Sequence, residues 1–340
     1  MHPELSLVFL TVLAGVGQGL FIFLVAGDVK ALLEPGGLPN NVIVAGSAVS
    51  VILTMMGMGA SFFHLTHPER GWKAILKWKQ SWLSREVLLL PAFLGLAFLY
   101  GLCGYMNLSF ILRGIIGLAG VFTALALYVA SGMVYAKIRY IREWNSLLTP
   151  VNFTFIGLST GGLALVAVYQ MVGAWPTASL FAMRLTFLTL ALGFVFKAVS
   201  YLRDSRIYSP VTLKSALGVT HNDIRLMDWG SSYAHYNTKE YVYRKYADIR
   251  GTLKLLVLAA IFTLPFGLMI LDYRQLLFGG HGSVAVPSAV IAILGAFVER
   301  WLFFAEGNHM QNLYYGAFTD KGVMNPLLTK AKAGTPTPRG

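Results

Sequence analysis

The chain has 340 residues, of which 56% are hydrophobic and 12% charged, and its mean hydropathy is +0.62. This composition excludes an ordinary soluble domain and is typical of a membrane protein. The formal net charge of +12 is explained by the excess of cations that membrane proteins carry on their inner side, so no nucleic-acid partner is predicted. A single cysteine, Cys103, excludes intrachain disulfides and a cysteine-ligated iron–sulfur cluster or structural zinc site.

Eight apolar stretches follow one another along the chain, and each is close to the roughly 20 residues that a helix needs to cross the hydrocarbon core. None of them alternates between apolar and polar residues as the strands of a membrane barrel do. The sequence therefore predicts an all-α polytopic membrane protein, an eight-transmembrane-helix bundle in contact with membrane lipid. The predicted spans are Leu5–Ala26, Val42–Phe63, Val87–Met106, Ile111–Val134, Phe153–Val172, Ser179–Val199, Leu253–Leu271 and Val284–Ala305.

The loops that join the predicted spans differ strongly in charge. An even number of spans places both termini on one side, here called side A, and the opposite side is side B. Of the 27 Lys and Arg residues, 23 fall on side A, and the remaining four are Lys30, Arg113, Arg184 and Arg274. The positive-inside bias therefore predicts that side A faces the cytoplasm of a bacterium, with the chain in its inner membrane. Residues 1–320 form the predicted membrane domain, including a cytoplasmic loop over 200–252, and residues 321–340 form a flexible tail.

Polar residues within or at the ends of the spans are costly in lipid, so they are functional candidates. Gln18 lies in the middle of the first span, His64 at the end of the second, and Glu306 and His309 at the end of the eighth. A structural alternative remains open for two of them. Gln18 could form a helix–helix hydrogen bond, and His64 could bond only a loop carbonyl.

Two further expectations concern the ends of the spans. Ser84 is a plausible N-cap for the third helix, because serine hydroxyls accept hydrogen bonds from the free amides of a first turn. The cationic residues Arg113, Arg184 and Lys197 lie near span ends, so their side chains are expected to extend toward the interface.

The chain carries no Walker motif, no GxGxxG after a strand, no HExxH and no nucleophile elbow, so no catalytic residue and no metal ligand is predicted. Two classes of protein fit the polar residues. One is a quinone-reactive membrane anchor, with ionisable groups at one leaflet to exchange protons. The other is a secondary transporter, which usually places its polar site near the midplane on broken helices. Because the polar groups gather at the side-A ends, the anchor is favoured.

Two segments then resemble a known family. The segment HLTHPERGWKAILKWKQSWLSRE, from His64 to Glu86, is similar to the loop after the second helix in the membrane-anchor subunits of dimethyl sulfoxide reductase. The segment ERWLFFAEGNHMQNLYY, from Glu299 to Tyr315, resembles the last helix of the same family. The resemblance implies an anchor that binds a molybdopterin catalytic subunit and an iron–sulfur electron-transfer subunit, and that exchanges electrons with ubiquinone or menaquinone. It also matches His64 to a histidine implicated at the quinone site.

A third segment, SSYAHYNTKEYVYRK, resembles a branch of this family, the anchor of the cytoplasm-facing sulfite dehydrogenase. Because the loops that match the docking motif are predicted to be cytoplasmic, the expected function is to pass electrons from sulfite oxidation to the quinone pool. The alternative is a respiratory reductase that draws electrons from quinol. The residues expected at the partner-docking surface are Trp82, Arg85, Tyr233, Tyr236 and Lys239.

The quinone head group is expected near the side-A ends of the first, second and eighth spans. The residues expected to bind it are Gln18, His64, Arg85, Glu306 and His309. A heme b could in principle use histidine ligands, but the spacing does not place two histidines on facing helices, so no heme is predicted.

Overall fold

The computed structural model describes residues 3–31, 38–64, 67–173, 177–207, 214, 217–220, 249–277 and 284–307. Within these ranges the chain is helical without strands, and eight helices are long and apolar enough to cross a membrane, which confirms the predicted fold class. The first six are α1 Leu5–Ala31, α2 Asn40–Ser61, α3 Trp82–Tyr105, α4 Phe110–Ala136, α5 Leu148–Val172 and α6 Thr177–Ser205. Helix α7 comprises an α-helix over Arg250–Leu258, a π-helical turn at Ala259–Thr263 and an α-helix over Leu264–Leu277, and α8 is Ala285–Glu306.

Helices α1 and α5 form the centre of the bundle. Within their most apolar windows 83% of α1 and 78% of α5 is buried, against 28% of α4, which is largely left to lipid. Helix α2 runs antiparallel to α1, because Gly57 meets Ala14 near one end and Gly46 meets Leu24 near the other. Helix α5 runs parallel to α1, since Gly15 faces Gly157 while the Tyr169 hydroxyl lies beside Gly27. The core is therefore built around the first helix of the chain.

The close packing of α1 on α5 depends on glycine. A Cβ atom on Gly19 would lie 2.2 Å from the carbonyl oxygen of Gly157, and one on Gly161 would lie 2.3 Å from the amide nitrogen of Leu20. Glycines four residues apart on both helices thus let the two backbones touch. Because lipid tails are as apolar as the helix surfaces, no hydrophobic effect drives membrane helices together. They associate instead through close van der Waals packing, which small residues such as glycine allow.

The N-terminus of α3 differs from the expectation by one turn. Its N-cap is Ser81, whose hydroxyl accepts a hydrogen bond from the Ser84 amide at 3.4 Å, so the assignment of Ser84 as the cap was wrong. Ser84 is instead buried inside the first turn. Helix α3 begins at Trp82, and this start places the Glu86 side chain one turn inside the bundle, where it meets α4.

The expectation that Arg113 and Lys197 extend toward the interface was also wrong. Arg113 is buried, and its guanidinium donates to both carboxylate oxygens of Asp28 at 2.9 Å. Lys197 is buried and pairs with Glu299. Both cations have partners on other helices, and such pairing offsets the cost of their desolvation. Arg184, in contrast, is exposed.

Two 3₁₀ segments connect α2 to α3, Phe62–His64 and Pro68–Lys77. The longer one exposes Trp72 and Leu76 beside Lys73 and Lys77. This mixture of apolar and basic side chains suits the boundary between lipid and water.

Candidate functional site

A small cavity of about 30 Å³ lies where α1, α3, α4, α5 and α8 meet. Most of its wall is apolar, with Leu90, Leu127 and Ile156 among the lining side chains. The polar side chains in the wall come from all five helices and are Thr11, Gln18, Glu86, Tyr128, Ser131, Thr160 and Arg300. An apolar slot with a few converging polar groups is the usual form of a small-molecule site.

Glu86 enters this first cavity from α3. Its carboxylate accepts a hydrogen bond of 2.6 Å from the hydroxyl of Ser131 on α4. Ser131 is held close because the next residue, Gly132, packs against Pro150 of α5 so tightly that a Cβ would lie 2.3 Å from the proline Cα. The carboxylate is therefore positioned by packing of α4 on α5, and a second oxygen remains available to a ligand.

Arg300 enters the cavity from α8 and is only 3% exposed. Its Nε lies 2.8 Å from Glu299 Oε2 in an ion pair, and its guanidinium carbon lies 3.7 Å from the ring centroid of Phe153. Its Nη1 atom is buried and has no hydrogen-bond partner among the described residues, and the same holds for Oε1 of Gln18 across the cavity. Unsatisfied buried polar atoms are rare in native proteins, so these two groups point to a polar ligand.

A second small cavity of about 20 Å³ lies between α5, α6 and α8, toward side A. It shares Phe153 and Arg300 with the first cavity. Besides Arg300, five of its lining residues carry a titratable group on the facing helices α6 and α8, and these five are here called the α6–α8 cluster. The cluster consists of Lys197, Tyr201, Asp204, Glu299 and Glu306.

Ion pairs join the members of the α6–α8 cluster to each other and to α7. Lys197 pairs with Glu299, and Asp204 pairs with the adjacent Arg203 at 2.9 Å. Glu306 pairs with Arg250 and, at 2.8 Å, with Lys254, both of α7. Buried charges in a membrane protein are costly unless paired, and they mark functional paths more often than anchors.

The structure places the predicted quinone-binding residues in different surroundings. Gln18 lines the first cavity and Glu306 the second. Arg85 lines neither, because its guanidinium donates to the carbonyls of Trp78 and Lys79 at 3.0 Å. The backbone of His64 closes a 3₁₀ turn after α2, while its side chain lies outside the described part of the chain. His309 lies outside the described residues.

Of the predicted docking residues, Trp82 and Arg85 are brought together. The Arg85 guanidinium carbon lies 4.1 Å from the ring centroid of Trp82, a cation–π contact at the N-terminus of α3. Tyr233, Tyr236 and Lys239 lie outside the described residues.

Sequence reasoning missed Glu86 and Arg300 as site residues. Both residues fall within the two segments that resemble the anchor family, but neither was singled out as a site residue. For Arg300 the available signal was its position more than one turn inside the predicted span Val284–Ala305, where a charge is costly in lipid. Glu86 precedes the predicted span Val87–Met106 by one residue, so no such signal was available for it.

Eight membrane-spanning helices with buried charged residues define a multi-pass membrane protein. Its candidate site, formed by the two cavities, lies between the spanning helices. The model of the DMSO reductase anchor subunit (DmsC) family matches residues 1–316. The chain is also 34% identical over 329 residues to the C subunit of sulfite dehydrogenase from Allochromatium vinosum, and the match covers 93% of this chain and 99% of that relative. This chain therefore belongs to the DMSO reductase anchor subunit family, as the sequence motifs had predicted, and the transporter alternative is set aside.

Proposed function

We propose that this protein is the quinone-reactive membrane anchor of a molybdopterin and iron–sulfur oxidoreductase, and that it passes electrons from sulfite oxidation to the quinone pool. The observation that carries the proposal is the first cavity, where Arg300 Nη1 and Gln18 Oε1 are buried without partners among the described residues. Both lie in a slot whose other walls are largely apolar. The likeness to the sulfite dehydrogenase relative favours sulfite as the electron source.

The chemistry of the polar groups fits a quinone head group. A quinone carbonyl accepts hydrogen bonds, as from the Arg300 guanidinium, and a quinol hydroxyl donates them, as to the Gln18 amide oxygen or the Glu86 carboxylate. The Arg300 charge also favours electron density on a bound oxygen. Reduction of a quinone takes up two electrons and two protons, and the carboxyl group of Glu86 can hold one of those protons.

The remaining surfaces suit the partner subunits. The Trp82–Arg85 pair lies on the side-A face beside the exposed 3₁₀ segment, and aromatic and arginine side chains are enriched in the cores of protein interfaces. We infer that an iron–sulfur subunit docks there, with the molybdopterin subunit beyond it. The excess of cations on side A supports a cytoplasmic position for both subunits. Cross-linking from Trp82 should reach an iron–sulfur protein.

The experiment that tests the site is Glu86→Gln in the assembled complex. The amide keeps the size of the side chain and can still accept the Ser131 hydrogen bond, but it cannot hold a proton. Turnover coupled to a short-chain quinone analogue should fall by on the order of 100-fold, the usual contribution of a positioned acid or base. Turnover with a dye that takes electrons at the catalytic subunit should persist.

Glu4→Gln is the control, because this carboxylate is exposed ahead of α1 and lines neither cavity. It should leave both activities unchanged. Wild-type quinone turnover in Glu86→Gln would remove the first cavity from the reaction.

A further inference from the structure

The α6–α8 cluster joins the first cavity to the side-A surface by a graded series of ionisable groups. Side-chain exposure is 1% at Glu299 and 6% at Lys197, then 8% at Glu306, 12% at Asp204 and 45% at Arg250. The first cavity meets the series at Arg300, which lines both cavities and forms an ion pair with Glu299. Ion pairs that served only to hold the helices together would not require side-chain exposure to increase step by step toward the side-A surface.

The spacing within the cluster repeats on two helices. Lys197 and Asp204 on α6 are seven residues apart, as are Glu299 and Glu306 on α8. Seven residues are two helical turns, or about 10 Å along the axis, so each helix presents an inner and an outer group on the same face. The inner pair is Lys197 with Glu299, and the outer groups line the same second cavity.

Tyr201 lies between the inner and outer levels. Its ring is contacted by the Lys197 ammonium at 4.6 Å to the centroid and by the Lys254 ammonium, a partner of Glu306, at 4.8 Å. The hydroxyl of Tyr201 is buried and has no hydrogen-bond partner among the described residues. A hydroxyl can donate and accept at once, which is what a proton relay requires between an ammonium and a carboxylate.

We propose that the α6–α8 cluster is the path by which protons reach the first cavity from side A. This inference rests on the proposed function. Each quinone reduced takes two electrons from the iron–sulfur partner and two protons, which enter through Glu306 and Asp204, pass Tyr201 and reach Lys197 and Glu299. Arg300 stays protonated and so does not relay. It forms an ion pair with Glu299 and keeps the junction between the two cavities polar, so that water in the cavities completes the connection.

The test is Tyr201→Phe in the purified complex with its partner subunits. The variant keeps the ring against both lysines and removes only the buried hydroxyl. Maximal turnover with a short-chain quinone analogue should fall about tenfold, with the KM for the analogue unchanged, since the first cavity is intact. The ratio of turnover in H₂O to that in D₂O should rise as proton delivery becomes limiting. Dye-coupled turnover should stay at the wild-type level.

Tyr169→Phe is the matched control. Tyr169 on α5 is also a buried tyrosine whose hydroxyl lacks a hydrogen-bond partner among the described residues, but it lies near Gly27, at the other end of the bundle. Its variant should keep wild-type turnover and isotope ratio. A second variant, Glu306→Gln, should slow quinone turnover as Tyr201→Phe does.

Unchanged turnover and isotope ratio in Tyr201→Phe, or an equal loss in Tyr169→Phe, would overturn the path. That failure differs from failure of the proposed function, in which the wild-type complex itself would not reduce the quinone analogue.

Discussion

Replacement of Gly161 by alanine tests the packing at the centre of the bundle. A Cβ at this position would lie 2.3 Å from the Leu20 amide nitrogen and 2.5 Å from the Gly19 Cα, both backbone atoms that no rotamer change can move. Normal contact needs about 1 Å more, so α1 and α5 must separate along their crossing. Overpacking of this kind costs about 3 kcal/mol at the upper end of its usual range.

Part of that cost is offset, because alanine is favoured over glycine in a helix by about 1 kcal/mol. The expected net loss is therefore about 2 kcal/mol, measured as the free energy of unfolding in detergent or as a fall in the midpoint of thermal unfolding. The first cavity should suffer too, since Gly157 and Thr160 of the same helix line it. The quinone KM should rise.

Gly95→Ala is the control, because a Cβ there meets nothing within 4 Å. It should be neutral or slightly stabilising, because no steric clash then offsets the gain in helix propensity. If Gly161→Ala unfolded at the wild-type temperature, the close α1–α5 contact would be refuted.

Three further outcomes are expected. Asp28→Asn should destabilise the protein by roughly 3–5 kcal/mol in a detergent unfolding assay, because it leaves the Arg113 guanidinium buried without its carboxylate, whereas a stability equal to wild type would mean that the pair contributes little. Reporter fusions after Lys30 and after Lys137 should report opposite sides of the membrane, with the Lys137 fusion cytoplasmic, and an external Lys137 fusion would reverse the orientation. Replacing His64 by a non-ionisable residue of similar size should cut quinone-coupled turnover while dye-coupled turnover persists, and no loss of either would exclude His64 from the site.

The helices were predictable from the sequence because the hydrophobic signal is local. Leu5–Ala26, for example, is recognised as a span from its own length and apolarity, without reference to any other residue. The structure adds only one turn or so at the ends, where residues such as Asp28 remain helical because they find partners inside the bundle. The length and apolarity of each stretch were enough to predict the helices, but not how the helices pack against one another.

The pairing of charges could not be predicted, because it joins residues far apart in sequence. Arg113 meets Asp28 at a separation of 85 residues, and Lys197 meets Glu299 at 102. Each of the two cations, taken alone in an apolar span, is equally compatible with extension toward the interface. Only the three-dimensional contact distinguishes the two outcomes, and the same contacts reveal Arg300 as the junction between the cavities.

The central position of α1 has a consequence for biogenesis. Helix α1 is the span that the finished bundle encloses most completely, and it is synthesised well before its main parallel partner, α5, which ends at Val172. At ordinary rates of synthesis the interval between them is on the order of ten seconds. During that time α1 presents its glycine stripe and the Gln18 amide to lipid or to the insertion machinery. Chains truncated before Leu148 lack α5 and should therefore be recognised by membrane quality control. Chains truncated within the C-terminal tail should not be recognised.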